Sequence, residues 1–258
     1  MITYANAAPP TCNSCENLRL EGVTVCVGFD DLLDFTLGMN HAQFDTFIVV
    51  TSHEDRKTQQ VAAKHGATCV PTDLFGKNGR RFNKGAAINA GFNYFQYRGW
   101  RMHLDSDIAL PDNFRRLLFN HHHLETDCLY GADRVDVIGS GSIQSLRKLF
   151  QKSPPHRLRF LVDPTHDREL VTPIGGRMVN HLEGYLPLGY FQLWHASRQR
   201  QYPWSLGSAA HDDTMFSALW PLRQRRLLPG VFVYHCCPSV PQWGENWDGQ
   251  RKQVRLKA

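Results

Sequence analysis

The chain has 258 residues, 42% of them hydrophobic and 21% charged, with a net charge of +5. That balance excludes a disordered chain and leaves length enough for one large domain. No apolar run approaches the roughly 18 residues that span a bilayer, and Met1 to Pro10 carries no signal-peptide pattern, so a soluble cytoplasmic protein is the expectation.

Val23 to Phe29 reads as a buried strand and Asp30 to about His41 as a helix. Thr46 to Thr51 is a second strand. Ser52 reads as the cap of the next helix, with Glu54 and Asp55 in its first turn and Gly66 at its end. Ala67 to Pro71 is a third strand. Asn83 caps a helix from Lys84 to about Tyr97, and Trp100 to Leu104 is the strand that leads to Asp105. This alternation predicts a parallel α/β sheet. Further on, Leu188 to Trp194 and Val231 to His235 read as strands, and Thr214 to Trp220 as a helix. The expected organisation is a leader (residues 1–22), a first half (23–110), a second half (111–236) and a basic tail (237–258). From Arg223 onward there are seven Lys/Arg against Glu245 and Asp248. Such a tail suits a polyanion, and it is also an ordinary solvated chain end.

The sharpest chemical element is Asp105-Ser106-Asp107 at a strand end. In extended backbone, residues i and i+2 share a side, so both carboxylates are expected to converge on one point in the crevice beyond the sheet. Two hard oxygen donors there suit Mg²⁺ or Mn²⁺ bridging a nucleotide diphosphate. Upstream, Arg80 to Lys84 bring cations to a helix N-terminus, a candidate diphosphate clamp, and Gly85, Ala86 and Ala87 would let that helix lie close to the sheet. Asp212 and Asp213 open a predicted helix, where an ionised carboxylate is favoured. Seven cysteines in a chain of this length read as reduced thiols. Cys12 and Cys15, with His235, Cys236 and Cys237, offer soft zinc ligands, but one Cys-x-x-Cys without a matching pair is a weak signal.

The run Phe82-Asn83-Lys84-Gly85-Ala86-Ala87-Ile88-Asn89-Ala90-Gly91-Phe92, followed by Leu104-Asp105-Ser106-Asp107-Ile108-Ala109-Leu110-Pro111, resembles the core of GT-A fold nucleotide-sugar glycosyltransferases. The nearest pattern is that of β-1,4-galactosyltransferase and chondroitin-synthase-type enzymes. Leu188-Gly189-Tyr190-Phe191, His211-Asp212-Asp213 and Val233-Tyr234-His235 follow in the same order, so the resemblance covers about residues 23 to 236. It implies a Rossmann-like mixed, mostly parallel sheet flanked by helices, with residues 23–110 as the nucleotide-sugar-binding half and 111–236 as the acceptor-binding and catalytic half. It also implies a UDP-sugar donor held through Mn²⁺ or Mg²⁺, and transfer to a hydroxyl acceptor, inverting if the base lies opposite the leaving group. Asp107 would bind the metal, Asp105 the metal or ribose, and His235 would be the third ligand. Asp213, ahead of Asp212, would be the general base. Donor contacts would come from Phe29, Asp30, Thr51, Asp55, Asp73, Arg81, Lys84 and Ser106, and acceptor contacts from Gly189, Tyr190, Trp204 and His211.

The chain departs from the family pattern where Asp212 stands for the usual Glu. It departs again where Arg101 and His103 interrupt an apolar strand, which leaves that strand's cover on both faces in question. The acceptor is not carried over; a glycan and a hydroxymethylated base in phage-type DNA both remain open. Two other classes compete: a nucleotidyltransferase of similar fold, disfavoured because Gly28-Phe29-Asp30-Asp31 lacks a cation, and a non-catalytic nucleic-acid-binding protein with a zinc knuckle.

Overall fold

The computed structural model describes residues 19–79, 82–121, 123–152, 169–172, 175–180, 184–203, 208–239 and 248–256. Cys12, Cys15, Arg81 and Trp204 lie outside them, so the zinc-knuckle reading and two expected site contacts have no structural description.

The first half forms β1 (Leu20–Val25), α1 (Asp30–Asn40), β2 (Thr46–Thr51), α2 (Arg56–Lys64), β3 (Thr68–Pro71), α3 (Lys84–Phe92) and β4 (Trp100–His103). β3, β2, β1 and β4 lie side by side in that order, all parallel. The second half supplies β5 (Ile108–Ala109), α4 (Phe114–His121), β6 (Leu129–Ile138), α5 (Ser140–Lys152), β7 (Glu169–Thr172), β8 (Gly175–Asn180), β9 (Gly184–Tyr185), β10 (Gln192–His195), α6 (Ala209–Ser217) and β11 (Arg225–Cys237). β10 inserts antiparallel between β4 and β6, and β6 pairs parallel with β11. This is the mixed, mostly parallel, helix-flanked sheet that the GT-A resemblance implies.

Alternation along the strands builds two cores, one on each face of the sheet. Phe47 and Val49 of β2 join Leu33 and Leu37 of α1 on one face, whereas Ile48 and Val50 join Ala87 and Ile88 of α3 and Phe216 of α6 on the other. α3 approaches the sheet most closely at Gly91, where an added Cβ would come within 2.7 Å of Val23 and 2.8 Å of Val50. Gly85 abuts α6 instead, where an added Cβ would lie 3.4 Å from the Asp212 carboxylate.

Several boundaries differ from the sequence reading for local physical reasons. The helix after β2 is capped by Asp55, which accepts from Thr58 N, while Ser52 Oγ accepts from Asp55 N one step earlier. Gly66 does end this region, at φ +72. α3 stops at Phe92, and the chain beyond it is tied down by buried Glu21, whose carboxylate accepts from Gln96 N and Tyr97 N at 2.7 and 3.1 Å. The acidic pair lies inside α6, which begins at Ala209, rather than ahead of it. Both faces of β4 are covered. His103 is fully buried with its Nδ1 2.8 Å from the Tyr202 hydroxyl oxygen, and Arg101 lays its guanidinium 5.0 Å from the Phe95 ring centre. Among the described residues, no helix is long and apolar enough to cross a membrane.

Candidate active site

The site forms where the ends of β1 and β4 meet the N-terminus of α3, the first turns of α6 and the distal part of β11. Asp105, Ser106 and Asp107 are not an extension of β4. Ile108 N donates to Asp105 O at 3.1 Å, so a tight turn carries the two acids between β4 and β5. The expected same-side geometry of residues i and i+2 therefore does not apply, and the carboxylates reach different partners. Asp107 Oδ2 faces His235 Nε2 at 3.3 Å. Its backbone carbonyl accepts from Cys236 N at 2.8 Å, which fixes the turn against β11. Asp105 Oδ1 instead meets Lys84 Nζ at 2.8 Å, with His103 Nε2 3.6 Å away.

Lys84 is the hub of this arrangement. Its ammonium also reaches Asp213 Oδ2 at 2.9 Å, with the lysine side chain only 8% exposed. The expected diphosphate clamp is thus a buried bridge between the acidic turn and α6. Asn83 caps α3 by accepting from Ala86 N, and Gly85 N donates to Asp212 Oδ2 at 3.0 Å, which ties the two helix starts together. Asp212 consequently supports the backbone of α3, and Asp213 is the acid that faces the site.

Asp213 is nearly buried, and its Oδ1 has no hydrogen-bond partner among the described residues. An added Cβ on Gly189 would lie 2.3 Å from the Asp213 carboxylate carbon and from both its oxygens, so only glycine fits there. Burial pushes the Asp213 carboxyl up to about 7, against Lys84, and Asp105 and Asp212 add to the rise. Asp105 responds in the opposite sense. Burial raises it, but the charge and hydrogen bond of Lys84 and the charge of His235 outweigh that and hold it below the ordinary carboxylate value. His103 is pushed down to about 3 by burial and by Lys84, and so stays neutral. Behind Asp213, Gln192 Nε2 donates to Pro187 O, Asp213 O and Ser217 Oγ, and its Oε1 accepts from the Tyr202 hydroxyl.

The remaining expected contacts divide. Ser106 borders the site, with its carbonyl accepting from Thr36 Oγ1 at 2.7 Å. Thr51 ends β2 fully buried. Asp55 is occupied as a cap and also accepts from Gly28 N at 2.7 Å. Asp73 is an exposed side chain 3.8 Å from His53. Tyr190 is buried, its hydroxyl donating to Ala132 O at 2.9 Å, so it packs rather than lining an open acceptor cleft. His211 is exposed on the outer side of α6.

Phe29 and Asp30, expected on the nucleotide base, are covered by the C-terminal segment. Arg251 lies 4.8 Å from the Phe29 ring centre and binds Asp31 with two nitrogens at 2.5 and 2.9 Å, and Arg255 reaches Asp30 at 2.5 Å. Within residues 248–256 the tail is therefore a strap, with Arg251 and Arg255 paired to Asp31 and Asp30.

His235 is joined by Asp136, which the sequence did not single out, and by Cys237, which it did. Its Nδ1 is 2.9 Å from Asp136 Oδ1 and 3.1 Å from Cys237 Sγ. Asp136, His235 and Cys237 present ligand atoms within 4.8 Å of one another. Glu125, Asp127 and Cys128 do so as well, near the start of β6. The Asp107–His235 face suits a borderline-hard divalent cation. A carboxylate and an imidazole 3.3 Å apart stand at the spacing of neighbouring ligands on one ion, with Asp105 on the same turn.

No family model matches the chain, and no curated protein sequence matches it. Solved structures of nucleotide-sugar glycosyltransferases are similar to it. Glucosyl-3-phosphoglycerate synthase from Mycobacterium tuberculosis, in complex with Mn²⁺, UDP and glucosyl-3-phosphoglycerate, is 13% identical over 86% of this chain and 71% of its own, with a TM-score of 0.49. Mannosyl-3-phosphoglycerate synthase from Rubrobacter xylanophilus is 19% identical over 54% of this chain and 48% of its own, with a TM-score of 0.38. The mycobacterial synthase bound to phosphoglyceric acid is matched over 46% of this chain and 45% of its own, at 17% identity and a TM-score of 0.37. The chain thus spans about half the length of these last two proteins.

Proposed function

We propose that the protein is a metal-dependent glycosyltransferase that moves a sugar from a nucleotide diphosphate donor, UDP-linked, to a hydroxyl acceptor with inversion. The observation that carries this reading is the pairing, through Lys84, of an acidic turn with a buried carboxylate that keeps one oxygen unpartnered. An aspartate and a histidine that suit a divalent cation lie on the same turn's other side.

Asp107 and His235 would hold Mn²⁺ or Mg²⁺, with Asp105 beside them. The cation supplies charge neutralisation for the departing diphosphate. Asp213 Oδ1 accepts the acceptor's hydroxyl proton as the oxygen attacks the anomeric carbon. The bond from that carbon to the diphosphate oxygen breaks, and its electron pair leaves with the nucleotide. A carboxylate held up near 7 is a better base than an ordinary aspartate and is still largely ionised in mildly alkaline solution. Lys84 holds the base oriented through its other oxygen, and Gly189 leaves it room.

The acceptor class is a glycan or a hydroxymethylated base in DNA. Duplex binding that weakens steeply with salt would favour DNA, because phosphate contacts release counterions. The central test compares Asp107→Asn and Asp213→Asn by isothermal titration with UDP and Mn²⁺ and by transfer from UDP-sugars. Asp107→Asn should lose metal-dependent UDP binding. Asp213→Asn should keep it and lose transfer. Full transfer by either variant would defeat its assigned role.

A further inference from the structure

His235 has two ring nitrogens, and the fold treats them differently. β6 and β11 run parallel with Asp136 directly opposite His235 in register. That register places Asp136 Oδ1 2.9 Å from His235 Nδ1, and Arg134 Nε lies 3.1 Å from the same carboxylate oxygen. Arg134 is itself held with its guanidinium 5.3 Å from the Tyr190 ring centre. The opposite nitrogen, Nε2, faces Asp107 Oδ2 at 3.3 Å. Asp136 and His235 are largely enclosed, at 19% and 15% side-chain exposure, so this contact is not a passing surface pair.

A neutral imidazole carries one N–H and one lone pair, and a carboxylate can only accept. Asp136 therefore takes the Nδ1 proton, and Nε2 is left to Asp107 or to a cation: a proton on Nε2 that Asp107 accepts leaves when the ion binds there. We infer that Asp136 is a positioning residue that fixes His235 in the Nδ1–H tautomer and presents Nε2, beside Asp107, to the divalent cation of the donor complex. This rests on the proposed transferase reading. Carboxylates behind metal-binding histidines fix the tautomer and ring orientation, and their removal weakens metal binding 10- to 100-fold. Arg134, 27% exposed and two residues away on β6, adds its positive charge beside Asp136.

Cys237 Sγ also approaches Nδ1, at 3.1 Å. Its position raises one competing arrangement, in which Asp136, His235 and Cys237 themselves bind a softer ion on the Nδ1 side. The two arrangements differ in what Cys237 does. In the inference drawn here the thiol only packs, whereas in the other it is a ligand.

The experiment is a Mn²⁺ titration followed by electron paramagnetic resonance of the free ion, in the presence of UDP, on wild type, Asp136→Asn, Asp136→Ala, His235→Ala and Cys237→Ala. Thermal unfolding checks that each variant is folded, and the isosteric asparagine keeps the test open should the alanine fail. Expected are a 10- to 100-fold weakening in both Asp136 variants, no change in Cys237→Ala, and no further loss when Asp136→Asn is added to His235→Ala. In the Mg²⁺–UDP complex, ring-nitrogen NMR shifts of wild-type His235 should report a protonated Nδ1 and a metal-bound Nε2, and the reverse assignment overturns the positioning role. Wild-type affinity in Asp136→Asn, or additivity with His235→Ala, overturns the positioning role while leaving the transferase reading standing. Loss of Mn²⁺ binding in Cys237→Ala overturns it in favour of the softer site. A wild-type protein that binds no Mn²⁺ with UDP removes both the role and the reading beneath it.

Discussion

Replacing Lys84 with methionine keeps the aliphatic stem and removes the one cation that joins Asp105 to Asp213. Its ammonium sits 2.8 Å from the first carboxylate and 2.9 Å from the second, with the side chain 8% exposed. Breaking a buried ion pair from one side costs about 3–5 kcal/mol, because the remaining charge is left uncompensated. Two carboxylates are stranded here, but Asp105 keeps 34% exposure and recovers some hydration, which favours the low end, about 3 kcal/mol at pH 8. The cost has a pH signature. Asp213 is already raised to about 7, and losing Lys84 raises both folded-state acids further. An acid whose folded pKa lies above its unfolded one binds protons more tightly when folded. The folded state therefore gains relative stability as pH falls from the folded value toward roughly 4. Protonated carboxyls no longer need the cation, so the deficit of Lys84→Met should be largest at pH 8 and should shrink by pH 5. Urea unfolding followed by circular dichroism at both pH values measures it. A deficit below about 1 kcal/mol at pH 8, or one of equal size at pH 5, would refute the bridge as the element that holds the site together.

Gly189→Ala would push a methyl 2.3 Å from the Asp213 carboxylate, so it should cost about 1–3 kcal/mol and most of the transfer activity; an unchanged melting temperature with unchanged kcat would mean that the carboxylate is not confined there. Transfer by the wild-type protein should rise with pH through about 7 as Asp213 loses its proton, while the same group's contribution to stability is lost as pH rises from roughly 4 toward 7. A pH–rate profile flat from 6 to 8 contradicts Asp213 as base. Arg251→Ala should cost about 1–3 kcal/mol by releasing Asp31. Burial raises the Asp31 carboxyl, but the bonds from Arg251 and Leu256 N and the charge of Arg255 outweigh that and hold it below its ordinary value. Stability from such a lowered acid is present above its unfolded value near 4 and fades as pH falls below it, so the Arg251→Ala deficit measured by urea unfolding should fade below pH 4. A deficit that persists there would point to lost packing on Phe29 instead.

What the sequence made legible follows the range over which each signal acts. The parallel strands β1 to β4 announce themselves through short apolar runs with helices between them, and the order of Lys84, Asp105, Asp107, Asp213 and His235 was readable through the resemblance to GT-A enzymes, whose motifs follow in that order. Partner choice was not readable. Lys84 looked like a free cation at a helix start, and only the packing of α3 against α6 shows that it lies between two acids. Phe29 and Asp30 looked like open strand-end residues, because the segment that covers them arrives more than 220 residues later in the chain. The tight turn at Asp105–Asp107 left its mark in turn-favouring Asp and Ser, but the same residues equally suited two carboxylates on an extended strand end. His103 did leave a mark, as a polar break in an apolar strand, and the reason is its buried bond to Tyr202.

Asp136 shows the same limit most sharply. Nothing in Leu129–Ile138 distinguishes one acid on a strand from another, and only the register of β6 against β11 turns it into a neighbour of His235. A histidine late in a chain that carries 13 of them gains chemical meaning from what holds its second nitrogen, which is a property of strand pairing and not of local sequence. Function in this chain is therefore concentrated where elements far apart in sequence meet: α3 with α6 at Lys84, and β6 with β11 at His235. A substitution at either meeting point should disturb the site without touching the acidic turn itself.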